Sequence, residues 1–143
     1  MEPDNKDLKI IEILKNNAKE PIKGIAKKTS IRPSTVHQRI QRLIKNKVIE
    51  RFTIRLNDKA VGESFIAFML IKGTTSEYIT GKFLNTKNVK EVFGVTGEYD
   101  VLVKLKFKDV EEFNGFIINF RKEMKSIQST LTMVATANIK EEF

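Results

Sequence analysis

One short run of residues constrains the fold more than any other. Ser64-Phe65-Ile66-Ala67-Phe68-Met69-Leu70-Ile71 is almost unbroken apolar sequence. It is the length of a strand, and alternate residues of a strand point to opposite faces. A strand apolar on both sides needs both faces covered. The residues after it supply a sheet. Thr74 and Glu77 have capping-box spacing and open a helix through Ile79, Phe83 and Leu84. Val89–Thr96 reads as a second strand and Gly97-Glu98-Tyr99-Asp100 as a turn. Val101, Val103, Leu105 and Phe107 alternate with Leu102, Lys104 and Lys106 in a third strand. Val110, Phe113, Ile117, Phe120 and Met124 follow the helical 3-4 spacing, and Ile127 to Ile139 reads as a last strand. The order is βαββαβ, the ferredoxin-like pattern, an α+β fold. Both helices of that pattern cover one face of the sheet. The two-sided first strand therefore predicts that the other face meets a second subunit, because uncovered apolar surface is worth ~25 cal/mol per Å² to bury. The alternative is a central strand with a small exposed face.

The sequence before this run has a different period and a different charge. Lys plus Arg exceeds Asp plus Glu by 8 in the whole chain, and all of that excess lies in residues 1–60. Leu8, Ile11 and Leu14, with Ile10 and Ile13 beside them, mark a first helix ending near Asn16–Lys19, with Asp4 as its N-cap and Asp7 favourable in its first turn. Pro21 introduces a shorter helix carrying Ile22, Ile25 and Ala26 inward. A tight turn follows at Thr29-Ser30-Ile31-Arg32, and Pro33 suits the first position of a third helix. In that third helix Val36, Ile40 and Leu43 define the buried stripe. At 100° per residue Gln38 points away from it, with Ser34, Gln41, Arg42 and Lys45 around Gln38 and His37 and Arg39 on the flanks. The helix itself supplies no acid to that face. A short helix, a tight turn and a polar-basic helix make a helix-turn-helix, whose second helix enters the major groove. Glutamine pairs bidentately with adenine there, and Arg or Lys takes guanine edges or phosphates. The DNA-binding residues expected are Arg32, Ser34, Thr35, His37, Gln38, Arg39, Gln41, Arg42 and Lys45.

Between the halves, Ile49 to Leu56 alternates apolar and charged and reads as a strand that is both wing and linker, covered by the same strand of a partner subunit. The domains expected are 1–56, DNA-binding, and 57–143, effector-binding and oligomerising.

Several function classes are excluded. There is no Cys and one His, His37, so a Cys/His zinc site and a Ser-His-Asp relay are unsupported, and no metal or cofactor is expected. No Gly-rich phosphate loop or nucleophile–base pair is found, which argues against an enzyme. No stretch of 18 apolar residues spans a membrane, and the polar, acidic start is not that of a secretory signal. A soluble cytoplasmic, nucleoid-associated protein is expected.

With these pieces in place the chain resembles the Lrp/AsnC family of leucine-responsive and feast/famine regulators, from about Asp4 to about Ile139. The segments that carry the resemblance are Asp4…Asp7-Leu8…Ile13-Leu14; Ile25-Ala26…Pro33-Ser34-Thr35-Val36…Arg39-Ile40…Leu43…Val48-Ile49; Val95-Thr96-Gly97-Glu98-Tyr99-Asp100; and Thr130-Leu131-Thr132. The resemblance implies a homodimer that can build octamers, acting on double-stranded DNA. It also implies an amino acid or related metabolite bound near the Gly-Glu-Tyr-Asp turn, which points to Gly97, Glu98, Tyr99, Asp100, Thr130 and Thr132. Gly97 and Asp100 can offer an amide and a carboxylate to a ligand's charged ends; equally, the turn serves a hairpin. Two positions depart from the family: Arg32 replaces its usual N-cap Ser, and Lys47 its common Gly. The function expected is a sequence-specific transcription regulator tuned by a metabolite. The alternatives are an architectural DNA-compacting protein and, third, a metabolite-binding enzyme.

Overall fold

The computed structural model describes residues 2–73 and 79–141. The chain forms two compact units that divide between Arg55 and Leu56.

The first unit is three helices: α1 (Asn5–Asn16), α2 (Ile22–Thr29) and α3 (Pro33–Lys45). Ile10, Leu14, Ile25, Ala26, Ile31, Val36 and Ile40 form its core, with Ile13, Ile22 and Ile49 packed against it. Asp4 caps α1 in a reciprocal box: its Oδ1 accepts the amides of Lys6 at 2.8 Å and Asp7 at 2.9 Å, and Asp7 Oδ2 accepts the amide of Asp4 at 3.1 Å. Ser30 leaves α2 in the left-handed conformation, φ 56°, which turns the chain into α3. Lys47, φ 55°, closes α3. Its amide donates to the Ile44 carbonyl at 2.9 Å and that of Val48 to Leu43 at 2.9 Å, a Schellman closure with Lys in the place glycine favours.

The second unit has β1 (Phe65–Gly73), α4 (Gly81–Leu84), β2 (Val89–Gly94), β3 (Val101–Phe107), α5 (Val110–Glu123) and β4 (Ile127–Val134). The four strands lie in the order β2-β3-β1-β4, all neighbours antiparallel, which is the ferredoxin-like sheet. The register separates two faces. Ala67, Met69, Ile71, Val101, Val103, Leu105 and Phe107 form a core with Phe83 and Phe120 from the helices. The Phe107 ring stands edge-on to Phe113 and Phe116, centroids 5.4 and 5.3 Å away. On the opposite face the pairings set Phe93, Leu102, Leu70 and Leu131 in one row across all four strands, followed by Glu91, Lys104, Phe68 and Met133.

The structure bears on three sequence expectations. Within one chain the linker forms no strand: residues 50–57 have no regular structure and Ile54 is 71% exposed, while the pairing expected with a partner's copy involves a second chain. Alternation marks which side of a strand is apolar, but a strand also needs a ladder partner, and the described residues of a single chain provide none. The last strand stops at Val134 rather than Ile139, because its partner β1 begins at Phe65 and only the Ala135 amide, bonded to Ile66, continues the pairing. The helix before β2 covers Gly81–Leu84 with Thr80 as its cap; the capping box expected at Thr74 and Glu77 lies outside the described residues.

Candidate functional site

Burying Val36, Ile40 and Leu43 turns the other side of α3 outward. Ser34, His37, Gln38, Gln41 and Lys45 are exposed there, Thr35 is half-buried, and Arg32 is exposed at the N-terminal end. Arg32 stands at the N-cap without giving a side-chain cap, so the first amides of α3 receive no side-chain acceptor from it. These residues share one helix, and a helix of this size fits the major groove.

Arg39 and Arg42 are arranged differently. Arg39 Nη1 donates to both oxygens of Asp4, at 2.9 and 2.7 Å, and to Asp7 Oδ1 at 2.8 Å. Arg42 Nη2 donates to Asp7 Oδ2 at 2.8 Å. The Arg39 side chain is 18% exposed, that of Arg42 47%, and Asp7 is fully buried. The Arg39 guanidinium and the Asp7 amide hold the Asp4 carboxyl down at about 2, and Asp4 and Asp7 in turn push the Arg39 guanidinium above its ordinary value. The acids that α3 lacks are thus supplied by α1. Sequence reasoning gave Asp4 and Asp7 only their capping role. The available signal was spacing: two acids three apart on α1 and two arginines three apart on α3, each pair on one helical side.

The second set of expected residues gathers at one end of the sheet. The Asp100 amide donates to the Ile71 carbonyl at 2.9 Å, and Asp100 Oδ2 accepts the Gly73 amide at 2.8 Å. Asp100 therefore ties the start of β3 to the end of β1, with one carboxylate oxygen committed. Thr130 pairs opposite Ile71 and Thr132 opposite Met69, so both half-buried threonines lie on the core side of edge strand β4. Gly97, φ 124°, and Glu98 are exposed in the turn, and Tyr99 is half-buried. The structure brings Asp100 and Thr130 to opposite flanks of Ile71, with Thr132 further along. Gly73, φ 151°, sits at a register shift in the β1–β4 pairing, where a Cβ would lie 3.0 Å from the Ser126 carbonyl and 3.2 Å from Ile127 Cα.

The sheet's outer face carries a third arrangement that sequence reasoning missed. Lys104 pairs with Glu91 at 3.1 Å and with Glu141, and Lys106 pairs with Asp58 at 2.8 Å. Among the described residues no group of His, Cys, Asp or Glu is placed to hold a metal ion, and no helix is long and apolar enough to cross a membrane.

Comparison with known proteins places both halves. The AsnC-type helix-turn-helix domain matches residues 4–44, and the Lrp/AsnC ligand binding domain matches residues 66–143. The HTH-type transcriptional regulator FL11 of Pyrococcus furiosus is 37% identical over 140 residues, covering 96% of this chain and 92% of FL11. Escherichia coli AsnC superposes with a TM-score of 0.89 at 25% identity, covering 100% of this chain and 98% of AsnC. A Neisseria meningitidis transcriptional regulator, solved as its L-Met complex, gives a TM-score of 0.91 at 20% identity and covers 99% of this chain and 94% of its own. With a three-helix unit ahead of a ligand-binding sheet unit and family matches to each, the chain belongs to the Lrp/AsnC family of transcriptional regulators.

Proposed function

We propose that this regulator reads specific DNA sequences through α3, as a dimer or larger assembly, under control of an amino acid or related metabolite. The observation that carries the reading is the outward side of α3. Ser34, Gln38 and Gln41 reach base edges, Thr35 supports them at the helix start, His37 lies on the phosphate side, and Arg32 and Lys45 take phosphates or guanine edges at the two ends. Pairing of subunits is supported by the outer face of the sheet, where a row of Phe93, Leu102, Leu70 and Leu131 is exposed at its two ends and half-buried at Leu102 and Leu70 in a single chain. A two-fold dimer presents two recognition helices to half-sites about one helical turn apart. The segment at Phe52 and Ile54 gains cover by pairing with its own copy in the partner subunit. The effector reading rests on Gly97, Glu98, Tyr99, Asp100, Thr130 and Thr132 around the end of β1, and on the L-Met held by the Neisseria meningitidis neighbour. The protein acts by binding rather than turnover, in the cytoplasm and on the nucleoid.

Selection of bound fragments from random duplexes, with and without a panel of amino acids, tests this reading. A palindromic motif whose occupancy shifts with one amino acid is the expected result. Gln38→Ala then loses about 1–3 kcal/mol on the selected site and nothing on random DNA. Equal loss on both removes Gln38 from base reading. Binding with no sequence preference at fixed salt favours the architectural alternative.

A further inference from the structure

Sequence alone gives α3 three cations near its centre and C-terminal end: Arg39, Arg42 and Lys45. The structure leaves two of them matched. Asp4, Asp7, Arg39 and Arg42 form one cluster of two carboxylates and two guanidiniums, and its formal charges cancel. We propose that Asp7, together with Asp4, determines specificity by withdrawing Arg39 and Arg42 from the DNA phosphates. The outward side of α3 is then left to the neutral hydroxyl and amide groups of Ser34, Gln38 and Gln41. This rests on the reading of α3 as the DNA-contacting helix.

The geometry supports it at each residue. Arg39 gives Nη1 to three carboxylate oxygens, and its Nε is buried without a partner, so this guanidinium faces α1 rather than solvent. Arg42 is the more accessible, but its Nη2 holds the second oxygen of a fully buried carboxylate. Moving Arg42 to a phosphate exchanges one anion for another and leaves Asp7 short of a partner inside the protein, an unfavourable exchange. A guanidinium already neutralised also brings little net charge to the duplex, so few counterions leave when it docks. Counterion release is what drives binding to any sequence. Suppressing it at the centre of α3 lowers affinity for random DNA while leaving amide-to-base pairing intact. The ratio of cognate to random binding rises as a result.

The test measures affinity of the full chain by fluorescence anisotropy on a random-sequence duplex and on the selected site, across a range of KCl. The slope of log K against log salt is the readout, since a purely structural role moves stability and affinity but not the slope. Asp4→Asn keeps an N-cap of equal quality and removes one carboxylate charge. It is expected to steepen the slope on random DNA by up to about 0.9, one phosphate's worth, and to lower the cognate-to-random ratio several-fold. Asp7→Asn does so more strongly. Glu12→Gln, an exposed acid of the same helix outside the cluster, leaves the slope at its original value, as does Arg42→Gln. A slope about 0.9 shallower in Arg42→Gln, an unchanged slope in Asp4→Asn, or the same steepening in Glu12→Gln overturns the proposal. Should Asp7→Asn fail to fold by circular dichroism, Asp4→Asn and Arg42→Gln decide alone. A parent chain that binds no duplex removes the underlying reading of α3, and this inference with it.

Discussion

The two units expose surfaces of opposite kinds. The outer side of α3 is polar, and Ile44 at its edge is the one large apolar side chain that α3 exposes. The outer face of the sheet carries an apolar row across every strand, with Leu131 44% and Met133 47% exposed. Charge follows the same division in reverse. In the helical unit Asp4 and Asp7 pair with Arg39 and Arg42 at the seam between α1 and α3, and Lys28 pairs separately with Glu20. In the sheet unit one group of pairs gathers around Lys104 and Lys106 beside the apolar row, and others join Lys82 to Glu123, Lys87 to Glu112 and Lys90 to Glu63. Polar, hydrogen-bonding surfaces discriminate among partners, whereas apolar surfaces supply the drive to associate. The contrast fits the proposed reading, with recognition on one unit and assembly on the other.

The comparison can be broken or sharpened by experiment, beginning where the effect is largest. Phe107→Ala empties the centre of the sheet core and is expected to cost about 3–5 kcal/mol. Denaturant unfolding followed by hydrogen exchange at β1 and β3 measures it, and a loss under 1 kcal/mol would mean the sheet core lies elsewhere. Leu131→Glu leaves that core alone and places a charge in the outer row. Sedimentation should show self-association weakened at least tenfold, about 1.4 kcal/mol; an unchanged assembly would move the subunit contact off this face. Lys47→Gly relieves a left-handed residue worth ~1–2 kcal/mol and gives back ~0.5–1 in chain entropy. A net gain of about 0.5–1 kcal/mol in the helical unit is expected by thermal melting. Acid provides the finest probe. The Asp4 carboxyl is held at about 2 against an ordinary 3.8. Its contribution is therefore complete above about pH 4 and lost as pH falls towards 2. Asp4→Asn should lose less stability than the parent chain across that window, read by circular dichroism at stepped pH.

Much of this was legible in the sequence, for identifiable reasons. Helices α1 to α3 announce themselves because Ile10, Leu14, Val36, Ile40 and Leu43 repeat at the helical period, and Asp4 and Pro33 mark starts. The sheet order follows from a two-sided β1 and an alternating β3. What local pattern could not supply was the identity of partners. Asp7 and Arg42 are 35 residues apart, so their pairing appears only when α1 and α3 pack. Ile49–Leu56 carries the period of a strand but meets no second strand in one chain. Glu141, which holds Lys104, lies where sequence shows only a charged tail.

The junction of β1 with Gly73 has a consequence of its own. With backbone atoms of residues 126 and 127 crowding the space a side chain would fill, and φ at 151°, this corner accepts a single amino acid. The same residue gives its amide to Asp100, so the corner is held from the β3 side as well as crowded from the β4 side. Variation among descendants of this chain can retune the threonines and the turn around that corner freely. The corner itself stays fixed, so under the proposed effector reading a change of ligand preference falls to its surroundings.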